Sequence, residues 1–164
     1  MLKVSFKKDS KKVQTFYNKA TIVTLTGEVR IPRKVWDAFP RDIIIWVRKH
    51  PKIDFDTDKS DLNYCPLILE FTGKSICAEG DTFDEVTGYR IAESRAKIKI
   101  YKFMHTFCEM LMRYYYNIMY GNTELIIKES HTEAPKDCLS LTCKKYTELW
   151  LKESHHLGKL LEEV

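Results

Sequence analysis

One long run of helical periodicity constrains the fold of this chain more than any other feature. Apolar residues recur every three or four positions from Ala92 to Ile118, which predicts a helix over residues 83–120 that ends at Gly121 and Asn122. Between residues 100 and 119, fourteen of the twenty residues are apolar or aromatic, although a helix packed on one layer needs an apolar stripe only about 100° wide. One sheet cannot cover this surface, so the C-terminal helix, a second subunit or a target has to cover the rest.

Methionine and tyrosine supply much of this surplus apolar surface. Both side chains suit adaptable contact surfaces between proteins. We therefore expect a homo-oligomer, with burial by the chain's own last helix as the alternative. The residues expected at the subunit contact are Met104, Met110, Met112, Tyr115, Tyr116 and Met119.

The first half of the chain shows the alternation and the β-branched residues typical of strands. The predicted strands cover residues 2–6, 20–31 and 67–78. Gly27 either divides the second strand into two or introduces a β-bulge, and Gly73 favours a bend in the third strand. Residues 15–17 extend the first strand or pair with it. A short helix follows Pro32, and three consecutive isoleucines favour a strand over a short buried helix for residues 41–50.

The remaining segments complete an α+β architecture. Asp81 or Thr82 caps the long helix, because Thr82 and Glu85 have the spacing of a capping box. Residues 51–64 are predicted to form an exposed acidic loop, and two further helices are predicted over residues 123–131 and 139–162. We expect an antiparallel sheet of four or five strands packed by one long helix, plus a C-terminal helix. The corresponding division is a core over residues 1–122 and a helical appendage over residues 123–164.

Composition limits the class of protein. The chain has 164 residues, of which 44% are hydrophobic and 30% charged, which suits one globular core and excludes a disordered or collagen-like chain. The first residues lack the apolar core of a signal peptide, and no apolar stretch is long enough to span a membrane. The five cysteines form no CxxC pair, so we interpret them as reduced thiols of a cytoplasmic protein without membrane contact.

Charge is unevenly distributed along the chain. The net charge is +9 over residues 1–52, −7 over 53–93, +4 over 94–120 and −2 over 121–164. A bipolar chain of this kind can present a basic face to a phosphate-bearing ligand. It lacks the continuous positive charge of a protein that coats nucleic acid.

Two sequence patterns contain the residue types of a metal site but lack its spacing. Asp54, Asp56 and Asp58 begin like a calcium loop, but Lys59 stands where the loop needs Gly and Cys65 where it needs Glu. A zinc site fails on spacing, since its candidate ligands are neither an i, i+4 pair nor a CxxC pair: Cys138, Cys143, His155 and His156. No cofactor or metal is expected.

Acidic residues at the start of the long helix are a weak candidate for a metal-dependent nuclease. They are Asp81, Asp84, Glu85 and Glu93. Carboxylates also stabilise a helix N-terminus, and the chain lacks the GxSxG, HExxH, P-loop and GxGxxG motifs. We therefore expect a protein that is not an enzyme.

The basic residues of the long helix are the predicted ligand site. Arginine suits bidentate phosphate recognition, so Arg90 and Arg95 are expected to clamp phosphate. Arg95 and Lys99 are like charges at i, i+4, a mildly unfavourable pair unless an anion lies between them. Tyr101 is expected to stack a base. Arg30 and Arg33, which flank a turn, are expected to complete the site.

Residues 72–99 resemble a pattern in small phage and prophage proteins. The pattern is a strand that ends near a Cys, then D-x-F-D, a Gly four residues later, and A-x-x-R-A. Here its positions are Cys77, Asp81, Phe83, Asp84, Gly88, Ala92, Arg95 and Ala96. The resemblance implies a sheet packed by one helix, similar to a double-stranded-RNA-binding domain. It also implies that Phe83 staples the helix start and that Gly88 allows close approach to the sheet.

The resemblance and the basic residues lead to one expected role and two alternatives. The expected role is a non-enzymatic phage-type binding protein in the cytoplasm of a bacterial host cell. As a counter-defence protein it would sequester an anionic nucleotide-like ligand or a host protein. The alternatives are a virion structural or assembly protein and a nucleic-acid-binding protein.

Overall fold

The computed structural model describes residues 2, 4–6, 12–16, 19–37, 39–50, 53–55, 63–80, 82, 84–120 and 133–162. It confirms the predicted α+β architecture, in which a long helix and a C-terminal helix accompany an antiparallel sheet. Within the described residues the elements are β1 (Val4–Phe6), β2 (Lys12–Phe16), β3 (Ala20–Pro32), α1 (Arg33–Asp37), α2 (Arg41–Lys49), β4 (Ile53–Phe55), β5 (Tyr64–Ile76), α3 (Glu85–Tyr120) and α4 (Glu133–Glu162).

The strands β3 and β5 form the centre of the sheet. They pair antiparallel over their full length, from Ala20 opposite Ile76 to Pro32 opposite Tyr64. On the other side of β3 lie both β1 and β2, while β4 pairs with the middle of β5. Residues 15–17 are predicted to extend the first strand or to pair with it. Among the described residues β2 does not pair with β1, and instead follows it along the same edge of β3. Residues 53–55 form the strand β4, so the prediction of one continuous exposed loop over residues 51–64 is wrong.

β3 is one uninterrupted strand, which corrects the expected break or bulge at Gly27. Gly27 stays in register, opposite Leu69 on one side and Phe6 on the other. A Cβ at this position would lie 2.6 Å from Cγ1 of Val4. The glycine therefore provides room for a packed side chain and does not interrupt the ladder.

The helices cover one face of the sheet. The odd-numbered residues of β3 and β5 face them and form the core, including Val23, Val29, Leu67 and Leu69. A Cβ at Gly73 would overlap the carbonyl oxygen of Ala92 and lie 2.7 Å from the nitrogen of Ala96. The close approach of helix and sheet therefore occurs at Gly73, where β5 stays in register with β3.

Residues 41–49 form a helix, which corrects the preference for a strand. The amides of Ile43 and Ile44 donate to the carbonyl of Pro40, which starts the helix. Ile43 and Val47, four residues apart, are buried, whereas Ile45 is 38% exposed. A buried i, i+4 face outweighs the small helix-propensity cost of β-branched residues, which is at most about 0.7 kcal/mol each.

α3 begins two residues later than predicted, at Glu85. The carboxylate of Asp84 accepts hydrogen bonds from the amides of Val86 and Thr87, at 3.1 and 3.0 Å. Asp84 is therefore the N-cap, in place of Asp81 or Thr82. Asp81 and Phe83 lie outside the described residues, as does the helix predicted over 123–131.

α4 packs along α3 and shares its core. Leu139 and Tyr146 of α4 belong to the buried cluster that contains Met104 and Tyr115 of α3. Met104 is fully buried and Tyr115 is 7% exposed, so neither is available for the predicted subunit contact. Much of the surplus surface of α3 is thus covered by the chain's own last helix. Tyr116 remains 56% exposed.

Candidate functional site

Arg95 and Lys99 lie side by side at the edge of β5. The Nη1 atom of Arg95 donates to the carbonyl of Lys74 at 2.6 Å, and Nζ of Lys99 donates to the carbonyl of Thr72 at 2.7 Å. The i, i+4 spacing on α3 thus matches the i, i+2 spacing of outward carbonyls on a strand. Each cation therefore bonds to the partial negative charge of its own carbonyl oxygen.

On the opposite edge of the sheet, the chain at the start of β1 is bonded to α4. The amide of Leu2 donates to Oγ1 of Thr142 at 3.2 Å, and the amide of Val4 donates to the hydroxyl of Tyr146 at 2.9 Å. Burial raises the pKa of Tyr146 to about 12, although the bond from Val4 acts in the opposite direction. Helix side chains therefore bond to part of a strand edge on each side of the sheet, which protects those parts from pairing with other chains.

Tyr101 is packed between the sheet and α4. Its ring centroid lies 6.4 Å from that of Phe6 and 6.2 Å from that of Tyr146. Burial raises the pKa of Tyr101, and the charges of Glu153 and Glu93 add to the increase. These contacts give Tyr101 a packing role in addition to the predicted role in stacking a base.

The four predicted arginines do not converge. Arg30 pairs with Glu28 at 3.0 Å and Arg33 pairs with Asp37 at 3.1 Å. Arg90 is exposed, and five residues of helix place it about 140° around α3 from Arg95. The structure thus brings together Arg95 and Lys99 but places Arg90 on another side of the helix.

The acidic residues at the start of α3 have structural partners. Hydrogen bonds from Thr87, and then from Val86, lower the pKa of Asp84, and the nearby charge of Arg90 adds to this effect. Glu85 accepts a hydrogen bond from the hydroxyl of Thr15, and Glu93 pairs with Lys97. Among the described residues, no three His, Cys, Asp or Glu side chains are grouped so as to hold a metal ion.

Two described cysteines are poor nucleophiles. Burial raises the pKa of Cys65 and of Cys143, and the thiolate is the reactive form of cysteine. The side chain of Cys138 and the whole of His131 lie outside the described residues.

A second candidate surface is the face of the sheet opposite the helices. We call it the open face, and define it by thirteen even-numbered residues of three strands. Its residues are Gln14 and Phe16 of β2, Ala20, Ile22, Thr24, Thr26, Glu28 and Arg30 of β3, and Ile68, Glu70, Thr72, Lys74 and Ile76 of β5.

One corner of the open face is apolar. Phe16 lies opposite Ala20, and Ala20 lies opposite Ile76, so these three residues form one row across three strands. Phe16 is 44% and Ile76 63% exposed, and Ile22 lies in the next row of the sheet. In the row after Ile22, the hydroxyls of Thr24 and Thr72 lie 3.2 Å apart.

Sequence reasoning missed the open face as a site. The alternation of residues in β3 and β5 predicts strands, but by itself it does not identify the even-numbered positions of these strands as a binding surface. Those positions carry threonine, isoleucine and charged residues in turn. This mixture is less polar than is typical of a strand face in contact with water. It is the feature of the sequence that could have indicated the surface.

Comparison of the chain with protein-family models, curated proteins and solved structures gives no match. Among the described residues, no helix is long and apolar enough to cross a membrane.

Proposed function

We propose that this chain is a non-enzymatic binding protein whose partner is another protein, held on the open face of the sheet. The observation that carries this proposal is the exposed row of Phe16, Ala20 and Ile76, which lies on the face opposite the helices. Exposed apolar side chains gathered at one place and bordered by polar residues are typical of protein interaction sites.

The charges of the open face favour a protein over a nucleic acid. The thirteen residues that define this face carry two charges of each sign, Arg30 and Lys74 against Glu28 and Glu70, and Arg30 is already paired with Glu28. The neighbouring strand positions Lys12, opposite Thr24, and Asp54, opposite Ile68, add one charge of each sign. Nucleic-acid binding depends on cations that neutralise several phosphates and therefore weakens steeply with added salt. A balanced face lacks that driving force, and a gel shift at low salt is expected to show no retardation.

The partner class follows from the resemblance to small phage proteins. We propose a host protein met in the bacterial cytoplasm, in keeping with a counter-defence role. The alternative is a protein of the virion or of its assembly pathway. Both use the open face, and the identity of the captured partner separates them.

Site-specific photo-crosslinking tests the proposed face. A photoreactive amino acid at Ile76, in cells that contain the partner, is expected to give one discrete adduct. The same residue at Leu151, which is 59% exposed on α4, is the control and is expected to give none. The purified partner should bind the wild-type chain and lose at least about tenfold in affinity for Ile76→Asp, because a charge replaces an apolar contact. Equal labelling from both positions would contradict the proposal.

An anionic nucleotide-like ligand is the second candidate. The observation that favours it is the pair of Arg95 and Lys99, each of which has donors beyond the one bonded to β5. A thermal-shift panel of cyclic and signalling nucleotides is the test, since a ligand that binds the native state raises its melting temperature. A shift that Arg95→Gln abolishes and Arg113→Gln preserves would support this role, and no shift at millimolar ligand would exclude it.

A further inference from the structure

The outer edge of β2 differs from the other strand edges described above. At the β1 edge the amides of Leu2 and Val4 are bonded to α4, and at the β5 edge two carbonyls are bonded to α3. Residues 13–16 of β2 are exposed, with Val13 at 45% and Phe16 at 44%. An exposed strand edge with apolar side chains and no Pro is a template for pairing with another strand.

The register shows which backbone groups of β2 point outward. The carbonyls of Thr72 and Lys74 point away from β3, because they accept bonds from Arg95 and Lys99. In an antiparallel ladder their partners on β3, Thr24 and Ile22, then point their backbone groups toward β2.

Two residues of β2 are consequently free to pair on its outer side. Lys12 and Gln14 lie opposite Thr24 and Ile22, so Lys12 and Gln14 bond to β3. The amide and carbonyl of Val13 and Thr15 therefore point outward, and no backbone group of another described residue hydrogen-bonds to them.

We propose that β2 pairs antiparallel with β2 of a second copy of this chain, about a two-fold axis at Gln14. Val13 of each copy then lies opposite Thr15 of the other copy, which gives two equivalent pairs. Val13 and Thr15 are the residues whose backbone groups point outward. The pairing forms four backbone hydrogen bonds and joins the two sheets into one.

The side chains of β2 are compatible with this self-pairing. In this register Lys12 lies opposite Phe16 and Gln14 opposite itself, so no like charges face each other. The neighbouring register centred on Lys12 would place two lysines opposite each other. The interface is small, and we expect a reversible dimer with a dissociation constant on the order of micromolar.

A charge-swap experiment tests both the dimer and its register. The basic variant carries Val13→Lys with Thr15→Lys, and the acidic variant carries Val13→Glu with Thr15→Glu. Each alone places like charges opposite each other at both pairs, so each is expected to be monomeric or at least about tenfold weaker as a dimer. Mixed, they are expected to form a one-to-one heterodimer, which also shows that both remain folded.

Sedimentation velocity between about 1 and 200 µM, a range that brackets the expected affinity, is the measurement. Leu141→Lys with Leu151→Lys is the control, because these leucines are 63% and 59% exposed on α4, and it is expected to dimerise like the wild-type chain. A wild-type chain that stays monomeric overturns the proposal. A dimer that survives in both variants overturns it too. Neither outcome bears on crosslinking at Ile76, so this proposal and the proposed function fail separately.

Discussion

At the residue scale, Gly73 sets the distance between α3 and the sheet. A side chain there would overlap the Ala92 carbonyl oxygen, and a packed helix backbone cannot move away without disturbing the core. We expect Gly73→Ala to lower the free energy of unfolding by about 2–3 kcal/mol.

Gly158 provides the matched control for this substitution. Outside the backbone of its own helix, no atom of the described residues would lie within 4 Å of a Cβ at Gly158, and alanine is favoured over glycine in a helix by about 1 kcal/mol. Gly158→Ala is therefore expected to stabilise the chain. Urea unfolding of both variants measures the contrast, and similar effects at the two positions would contradict the described packing.

Tyr146 makes stability depend on pH in the alkaline range. Its pKa is about 12 in the folded chain and about 10 in an unfolded chain, so the folded state holds the proton more tightly. This contribution is complete below pH 10 and is lost as the pH rises from about 10 to about 12. Over that range the loss is on the order of 2–3 kcal/mol.

Tyr146→Phe isolates this contribution. At about pH 8 the variant is expected to be less stable by roughly 1–3 kcal/mol, because the buried amide of Val4 loses its acceptor. Above pH 10 the difference from the wild-type chain should narrow, since phenylalanine does not ionise. Denaturant titrations across this pH range measure it, with Tyr116→Phe as the exposed control. A difference that stays constant with pH would show that Tyr146 does not titrate in this way.

At the element scale, α2 is distinguished from a strand by two neighbouring isoleucines. Ile43 is 4% exposed and Ile45 is 38% exposed. In a strand both would lie on one face, whereas in a helix they lie about 200° apart. We expect Ile43→Ala to cost about 2–4 kcal/mol and Ile45→Ala less than about 1 kcal/mol. Thermal denaturation decides between the two, and equal costs would support a strand.

The edge of β5 depends on α3 for its protection. Replacing both Arg95 and Lys99 with alanine exposes the carbonyls of Thr72 and Lys74. Because both cations are solvent-accessible, we expect a small loss of stability, about 1 kcal/mol in total, but clearly faster aggregation on heating. Light scattering during a thermal ramp measures it. Arg113→Ala, which breaks an exposed pair with Glu109, should aggregate at the wild-type rate.

At the scale of the whole molecule, the shared core predicts a single unfolding transition. Trp46 of α2 stacks on Phe103 at 5.4 Å, whereas Trp150 of α4 lies 6.2 Å from His105. A variant with only Trp150 and a variant without it should give the same fluorescence midpoint. An earlier transition reported by Trp150 alone would support the predicted division at residue 122, with α4 as a separate appendage.

The sequence predicts some secondary-structure elements correctly and others wrongly, and the difference has physical reasons. Periodicity located α3, α4 and the two long strands, because a buried face imposes its period on the residues that form it. It failed for residues 41–49, where β-branched residues suggested a strand and burial of Ile43 and Val47 selected a helix. It also could not show that Arg95 and Lys99 lie against Thr72 and Lys74, because that contact joins residues more than twenty positions apart.

The sequence alone determined that this chain folds as a sheet with one over-apolar helix, since that property belongs to consecutive residues. Tertiary structure decided what covers the helix, because α4 reaches it only after the chain turns back and bonds to Val4 through Tyr146. Tertiary structure also decided which basic residues meet and which strand edge stays open. Both depend on the order in which strands pair, and distant contacts set that order.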